Sequence, residues 1–174
     1  PLLFRLPDWF GAERGRVSDA LVELIDLPAT IFDLTGIRPD YTHFGRSLLP
    51  LVRGETDEHR DAVFCEGGRL HGEDHCKELE ANQDEHGLYW PRLHLQWQEG
   101  PEHTKAVMCR TKDFKYVRRL YEADELYDLA RDPGELHNVA DDPAYADTLA
   151  RLKERLLTFY LETCDVVPHE PDRR

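Results

Sequence analysis

The sequence lacks several features that would place it in a familiar class at once. Its 174 residues include one Met and four Cys, and no apolar run approaches the ~20 residues that a membrane-spanning helix requires. It also lacks an excess of positively charged residues, since its net charge at pH 7 is −13. Nucleic-acid phosphates would be repelled over much of such a surface. These absences predict a soluble globular chain that binds neither nucleic acid nor a membrane.

The cysteines are sparse and follow no recognisable framework. Cys65, Cys76, Cys109 and Cys164 show neither the C-x-x-C spacing of metal sites nor the density of a small disulfide-rich domain. Reduced thiols are the favoured interpretation, although a contact between Cys65 and Cys109 stays open. Reduced thiols favour a cytoplasmic location over a periplasmic or secreted one, but the sequence leaves the compartment unknown.

The first sixty residues have the pattern of alternating strands and helices. Residues 1–6 and 20–25 predict strands, and a helix follows the second. Asp26 is placed to cap that helix, Pro28 lies in its first turn, and Gly36 is placed to end it. One face of the helix then carries the apolar residues Leu27, Ile31 and Leu34. This part suits the edge of a larger parallel α/β sheet.

From residue 61 the pattern changes to consecutive strands and one long helix. Strands are predicted at 62–66, 105–110, 115–120 and 125–129, and the short connection at 112–114 implies an antiparallel hairpin. Asp142 and Pro143 then predict a helix start. Its apolar residues recur every three or four positions, at Tyr145, Leu149, Leu152, Leu156 and Phe159. The expected fold class is α/β overall and α+β in this fragment, with a small antiparallel sheet packed against a C-terminal helix.

The tract from Leu126 to Ala140, LYDLARDPGELHNVA, is the most informative stretch. Asp132, Pro133 and Gly134 have the order of a tight turn, and Gly134 predicts the positive φ of a type II turn. The tract resembles the closing signature of sulfatases, in which LYDL is followed by DPxExxN. Glu135 and Asn138 occupy the last two signature positions.

Two further segments resemble the same family independently. Residues 26–36, DLPATIFDLTG, are similar to the sulfatase segment DLxPTLLDLxG, with Pro-Ala-Thr in place of Pro-Thr. Residues 45–54, GRSLLPLVRG, are similar to its GxSLxPLLxG segment. Three ordered matches identify the chain as the C-terminal part of a sulfatase, in the alkaline phosphatase superfamily.

The resemblance implies a division of the chain and a place for its chemistry. It implies that residues 1–60 are the tail end of the α/β catalytic domain, residues 61–163 the C-terminal sheet-and-helix subdomain, and residues 164–174 a tail. Sulfatases hydrolyse sulfate esters with a formylglycine nucleophile, made from the Cys or Ser of a motif ending in x-Pro-x-Arg, beside a calcium ion. None of the four cysteines here has that sequence after it. The nucleophile and the metal ligands are therefore expected upstream, and this chain alone is expected to be inactive.

The same resemblance names the expected partners and leaves other functions open. The partners are the missing N-terminal catalytic domain and a sulfated small molecule or sugar, and a homo-oligomer stays open. Phosphodiesterases and phosphonate monoester hydrolases share this C-terminal layout, so either phosphorus chemistry is an alternative. A non-enzymatic assembly module is a second alternative.

The periodic pattern of strands and helices is absent between Gly67 and His103, and substrate contacts are expected in this region. Two glycines at the end of a strand allow a sharp turn or the close approach of a ligand, and Arg69 offers a fork of donors for an oxyanion. The alternative is a Gly-Gly turn with solvated side chains. The candidate pocket residues are Glu66, Arg69, His71, His75 and Trp90.

Two other patterns in this region favour structural interpretations. His71, His75 and Cys76 suggest a metal, but no second ligand pair stands at zinc spacing, so no metal site is predicted. Residues 90–97 alternate apolar and polar, which predicts a half-buried strand. The basic side chains of the hairpin predict a solvated face that balances acidic neighbours, at Arg110, Lys112, Lys115, Arg118 and Arg119.

Overall fold

The protein is described by a computed structural model covering residues 2–12, 14–78, 85–98, 100–101 and 103–166. The chain forms two compact units. The first comprises the residues up to Val63 together with those from Leu157 onward, and the second comprises Phe64–Leu156.

The first unit is built around two helices, α1 (Asp26–Thr35) and α2 (Leu49–Val52). Gly36 ends α1 with φ of 69°, a conformation that favours glycine, so the predicted end of the helix is confirmed. The predicted cap is wrong: Ile25 precedes the helix, and Asp26 is its first residue. The carboxylate of Asp26 instead binds groups distant in sequence. Five buried apolar side chains form the core of the described part of this unit, at Ala29, Leu48, Leu49, Leu51 and Ala62.

The two strands predicted in the first unit do not form in the described residues. Residues 2–7 are irregular, and the side chain of Leu3 is 92% exposed. Of residues 20–25, only Leu21 makes a β-bridge, which pairs it with Arg60. A strand requires a neighbour that accepts and donates its backbone hydrogen bonds, and the described part of this unit supplies only that bridge.

The second unit contains the predicted antiparallel sheet. Its strands are β1 (Val63–Gly67), β2 (Ala106–Arg110), β3 (Phe114–Arg119) and β4 (Glu125–Asp128), and they lie in sequence order across the sheet. The bounds differ from the predicted ones by about one residue. β2 and β3 form the predicted hairpin, with Arg110 opposite Lys115. The fold class, α+β with a small antiparallel sheet, is confirmed.

The core of the second unit is a row of side chains that crosses the sheet. Cys109 on β2 lies opposite Tyr116 on β3, which lies opposite Leu126 on β4, and all three are buried. The long helix α4 (Ala146–Thr163) contributes buried Leu152 and Leu156. Ring contacts join this helix to the sheet, with Lys153 over Tyr116 and Arg155 over Phe64.

The start of the long helix confirms the predicted cap. The Asp142 carboxylate accepts a hydrogen bond of 2.9 Å from the backbone N–H of Ala144. Pro143 opens a 3-10 turn, Pro143–Tyr145, that leads directly into α4. Proline suits this position because its missing N–H would have no partner there.

The strand predicted at residues 90–97 is wrong, because Trp90–Leu95 is a short helix, α3. Pro91 lies in its first turn, where its fixed φ is compatible with a helix. The backbone N–H of Leu93 donates to the carbonyl oxygen of Tyr89 at 3.0 Å. Eight alternating residues do not distinguish a strand from a short helix, and a helix satisfies its backbone without a neighbouring strand. No disulfide joins Cys65, Cys76, Cys109 and Cys164.

Candidate functional site

The turn after β1 places Arg69 against a second backbone segment. The N–H of Arg69 donates to the carbonyl oxygen of His103 at 2.9 Å, and the N–H of Lys105 donates back to Arg69 at 3.0 Å. Gly68 makes this approach possible: it has φ of 77°, and a Cβ there would lie 2.1 Å from the carbonyl oxygen of Thr104. At Gly67 a Cβ would meet no atom within 4 Å. Gly68 therefore allows the backbone of the turn to lie close to the backbone of the second segment.

A narrow cleft lies beside this turn, with room for about one water molecule. Its walls combine two cationic side chains, two histidines and one carboxylate with small residues: Arg69, His71, Gly72, Asp74, Lys77, Gly100, His103 and Thr104. Lys77 pairs with Asp74, and the hydrogen bond and charge of Lys77 lower the pKa of that carboxyl. The Arg69 guanidinium donates to the carbonyl oxygen of Gln96, which is buried.

His71 is held by an aromatic neighbour from the end of β3. Its ring stacks on that of Tyr121 with 3.8 Å between centroids and 12° between planes. The backbone N–H of His71 also donates to the Tyr121 hydroxyl at 3.2 Å. The loop that begins after Arg69 is thereby fixed to the sheet, while the imidazole remains exposed.

The structure brings together two of the five candidate pocket residues, Arg69 and His71. Glu66 is exposed on β1, and His75 is exposed in the 3-10 turn Asp74–Cys76. Trp90 stacks on His94 at 4.6 Å within α3. These three do not line the cleft.

The cleft also contains residues that the sequence pattern did not single out. Lys77, His103 and Thr104 line it. The Nε2 atom of His103 is buried and has no hydrogen-bond partner. Lys77 lies within the irregular stretch and His103 at its end, and the bridge between Arg69 and Thr104 brings the segment of His103 to the turn after β1.

Metal binding finds no support in the donor groups of the described residues. No group of three or more His, Cys, Asp or Glu side chains stands close enough to hold an ion there. The described helices also include none with the length and apolarity needed to cross a membrane.

The basic hairpin is paired with acid side chains, as its pattern indicated. Arg118 contacts Asp124 at 2.7 Å, Arg119 contacts Glu125, and Lys115 contacts Glu135. Asp124 also accepts hydrogen bonds from the Tyr116 hydroxyl and from Lys153, each at 2.9 Å. Burial opposes ionisation of Asp124, but the hydrogen bonds from Arg118, Lys153 and Tyr116 outweigh it and lower its pKa. Burial and the bond to Asp124 raise the pKa of Tyr116.

The closing tract uses its polar side chains to hold its own backbone. The Asp132 carboxylate accepts from the N–H groups of Leu136 and His137 at 2.7 and 2.8 Å. Asn138 accepts from the N–H of Leu126 at 2.9 Å and donates to the carbonyl oxygen of Asp124 at 3.0 Å.

The turn type predicted for this tract is wrong. Glu135, and not Gly134, has the positive φ, 55°. The N–H of Glu135 donates to the carbonyl oxygen of Asp132 at 3.1 Å. The ion pair with Lys115 fixes the Glu135 side chain while its backbone adopts this conformation.

Asp26 joins three segments of the first unit. Its carboxylate accepts 2.9 and 2.8 Å hydrogen bonds from the N–H groups of Glu23 and Arg46, and it is contacted by the side chains of His59 and Arg60. Burial raises the pKa of Asp26, but hydrogen bonds from Arg60, Arg46 and Glu23 outweigh it and lower the pKa to about 2.

The other polar residues of α1 extend this junction. Thr30 Oγ1 accepts from the N–H of Leu48 at 2.9 Å, and Asp33 accepts from the Ser47 hydroxyl at 2.6 Å. Gly45 lies so close that a Cβ would be 2.1 Å from the carbonyl oxygen of Ile25. The two sulfatase-like segments, 26–36 and 45–54, are therefore one structural unit.

Comparison with known proteins decides the family. The family described as N-sulphoglucosamine sulphohydrolase, C-terminal, matches residues 67–161, more than half of the chain. The chain belongs to this family. The predicted membership of the sulfatase C-terminal region is confirmed.

Individual members of the sulfatase group agree with this assignment. The chain is 45% identical over 160 residues to an uncharacterized sulfatase, YidJ, of Escherichia coli, covering 91% of this chain and 25% of that protein. It is 30% identical over 197 residues to human N-sulphoglucosamine sulphohydrolase, covering 99% of this chain and 38% of that protein. This sulfatase C-terminal region thus spans only a quarter to two fifths of the length of these relatives.

A solved structure outside the named sulfatases has the same layout. The phosphonate monoester hydrolase of Agrobacterium radiobacter superposes with a TM-score of 0.57 at 27% identity, covering 84% of this chain and 28% of that one. The C-terminal layout is therefore shared by proteins named for sulfate and for phosphonate esters.

Proposed function

We propose that this chain is the C-terminal portion of a sulfatase-like hydrolase of sulfate esters, in which it completes the fold and shapes the leaving-group side of the substrate pocket. The family match over residues 67–161 carries the proposal. Under it, residues 1–60 are the end of the catalytic α/β domain, residues 61–163 are the C-terminal subdomain, and residues 164–174 are a tail. The partners are the catalytic domain and a sulfated small molecule or sugar.

Formylglycine and calcium chemistry belongs, in this proposal, to the catalytic domain. The donor groups of the described residues do not fit a calcium site. None of the cysteines has x-Pro-x-Arg after it. In this proposal the chain supplies neither nucleophile nor metal ligands, and alone it is inactive.

The contribution of this chain to substrate binding is assigned to the cleft residues Arg69 and His71. A guanidinium has five N–H donors, so the bond from Arg69 to Gln96 leaves donors for an anionic group. The exposed His71 imidazole stands beside them. Because the cleft has room for about one water, a sulfated ligand would contact its rim and not enter it. Glu66, His75 and Trp90 remain proposed contacts for more distant parts of the substrate.

Hydrolysis of a phosphonate monoester is the second candidate, and the superposition on the Agrobacterium radiobacter enzyme favours it. The signature residues of this chain are compatible with sulfate and phosphonate esters alike. Asp132, Asn138 and Asp26 accept hydrogen bonds from backbone N–H groups of the protein. The ester preference would be determined by the catalytic domain.

Turnover by the intact gene product tests both candidates. The assay compares an aryl sulfate with an aryl phosphonate monoester. His71→Ala should lower kcat/KM for the preferred ester by about tenfold, the equivalent of one lost hydrogen bond of about 1.4 kcal/mol. The melting temperature should fall only slightly, because the ring is exposed and its loss removes only the stack on Tyr121.

His137→Ala is the matched control, since His137 is an exposed histidine outside the cleft. Equal kcat/KM in the two variants would show that the cleft does not form part of the substrate pocket. Turnover of the phosphonate monoester alone would overturn the sulfatase assignment.

A further inference from the structure

Tyr121 fixes both the backbone and the ring of His71. Its hydroxyl accepts the hydrogen bond of the His71 backbone N–H at 3.2 Å, and its ring lies 3.8 Å from the imidazole, centroid to centroid, with 12° between the planes. A solvated histidine in a turn keeps its rotamer freedom, and a ligand that uses it must freeze that freedom on binding. The stack removes this freedom in advance, while the imidazole stays exposed.

The turn that carries His71 is closed on itself. The Glu73 carboxylate accepts from the N–H of Leu70 at 2.7 Å, and the N–H of Glu73 donates to the carbonyl oxygen of Leu70 at 3.2 Å. Gly72 has φ of 83°, which a glycine adopts without strain. His71 therefore stands in a defined turn, and Tyr121 sets the direction of its side chain.

Tyr121 is itself anchored on both sides to one backbone segment. The N–H of Leu120 donates to the carbonyl oxygen of Lys105 at 3.0 Å. The Glu122 carboxylate accepts from the Thr104 hydroxyl at 2.9 Å. Both neighbours of Tyr121 are thus bonded to residues 104–105, where Thr104 is buried.

The same segment also positions Arg69. The N–H of Lys105 donates to the carbonyl oxygen of Arg69 at 3.0 Å, and Arg69 forms a β-bridge with Thr104. Arg69 and Tyr121 are therefore held by one common segment. Because Tyr121 in turn holds His71, the two candidate substrate contacts keep a fixed relationship to each other at the cleft that both line.

We propose that Tyr121 is the positioning residue of the substrate contact: through its stack it holds the His71 imidazole at the cleft, so that an anionic ester group meets His71 and Arg69 together. This inference rests on the proposed function. Contacts held in place before the ligand arrives lose less entropy on binding and keep the geometry that the reaction requires. Tyr121 acts through His71 and is assigned no contact with the substrate.

NMR of the intact gene product with isotope-labelled histidine tests the positioning without any assay of activity. The His71 ring signal is the one that disappears in His71→Ala. A ring stacked face to face shifts the protons of its partner upfield, so this signal should lie upfield of that of His137, an exposed histidine outside the cleft. Tyr121→Leu should move it to the position of a solvated histidine, whereas Tyr121→Phe, which keeps the ring, should not.

An unshifted His71 signal in the wild-type protein would overturn the inference, and this measurement needs no variant at position 121 to fold. An upfield signal that survives in Tyr121→Leu would overturn it as well, because another group would then hold the imidazole.

Turnover of the preferred ester tests whether the positioning matters for the reaction. Tyr121→Leu should lower kcat/KM about as much as His71→Ala does, by about tenfold, and Tyr121→Phe should restore it. Adding Tyr121→Leu to His71→Ala should cause no further loss, because a residue that acts through His71 has nothing left to position. A further tenfold loss in the double variant would show independent action and overturn the assignment.

Failure of the proposed function would have a different signature. Wild-type kcat/KM in His71→Ala would refute the role of the cleft in the pocket, even if the NMR signals behave as expected. Turnover of the phosphonate monoester alone, with the same dependence on Tyr121, would refute the sulfatase assignment and support the positioning role, since a fixed imidazole serves either ester.

Discussion

Asn138 takes the place of a strand at the edge of β4, because its side-chain oxygen accepts the hydrogen bond of the Leu126 N–H at 2.9 Å. The neighbouring Val139 N–H donates to the carbonyl oxygen of Leu126 at 2.9 Å. Both backbone groups of a buried core residue are thus satisfied by a segment that is not itself a strand. This pairing gives Asn138, the last position of the sulfatase signature, a structural role.

Asn138→Ala should destabilise the protein by about 1–2 kcal/mol, because the N–H of Leu126 loses its partner at a buried residue. Urea unfolding of the intact protein measures the change. His137→Ala is the neighbouring control, since it keeps the bond of 2.8 Å from the His137 backbone N–H to Asp132. It removes only an 81% exposed ring that lies 3.7 Å from the same carboxylate. Equal stability of the two variants would contradict the edge role of Asn138.

Arg60→Gln should cost about 3–5 kcal/mol, because it removes the main cationic partner of the buried Asp26 carboxylate. The matched control is Arg53→Gln. Arg53 pairs with Glu55 at 3.9 Å with its side chain 43% exposed, so its loss should cost less than about 1 kcal/mol. The free energies of unfolding from denaturant titration provide the comparison, and similar losses would show that Arg60 does not stabilise the buried Asp26 carboxylate.

Acid should weaken the Asp26 junction in a defined pH window. The pKa of Asp26 falls from 3.8 to about 2 on folding, so the native state binds the proton more weakly than the unfolded state does. The stabilisation is fully present above pH ~4 and is lost as the pH falls towards ~2. It amounts to about 2 kcal/mol.

The difference in unfolding free energy between wild type and Asp26→Asn measures this effect. The difference should shrink by about 2 kcal/mol between about pH 5 and about pH 2. Subtracting the variant removes the contribution of other acid groups such as Asp124. A difference that stays constant over this range would rule out Asp26 as the titrating group.

Gly68→Ala and Gly67→Ala should differ sharply although the two sites are adjacent. A Cβ at Gly68 would lie 2.1 Å from the Thr104 carbonyl oxygen, on a backbone with φ of 77°. The resulting shift and strain should cost about 2–4 kcal/mol. At Gly67 a Cβ meets nothing within 4 Å, so the cost should stay below about 1 kcal/mol. Thermal unfolding compares the variants, and equal melting temperatures would refute the close approach.

Local sequence determined those parts of the fold that depend on neighbouring residues. The β2–β3 hairpin, the Asp142 cap and the αL end of α1 at Gly36 rest on short-range hydrogen bonds and on φ preferences. The positions of the four strands could be inferred from the sequence pattern, and the family from its motifs. In the candidate site, the sequence indicated Arg69 and His71, because a Gly-Gly turn sets the direction of the residues after it.

Tertiary structure decided which of several locally acceptable patterns formed. Residues 90–97 alternate like a strand but fold as α3, since a helix satisfies its backbone without a partner. Residues 2–6 have the composition of a strand, yet in the described structure no neighbouring strand pairs with them. The positive φ predicted at Gly134 is found at Glu135, whose side chain forms an ion pair with Lys115.

Only the tertiary structure showed how distant residues meet. Asp26 reads locally as a helix cap, but its partners Arg46, His59 and Arg60 come from segments 20 to 34 residues away. His103 joins the cleft through the bridge between Arg69 and Thr104, and Lys77 joins it beside its partner Asp74. The sequence by itself determined the family, the β2–β3 hairpin and the Asp142 cap, because each depends on residues that are close together in the chain. The burial of Asp26 and Thr30 and the composition of the cleft were decided by long-range hydrogen bonds, which local periodicity does not encode.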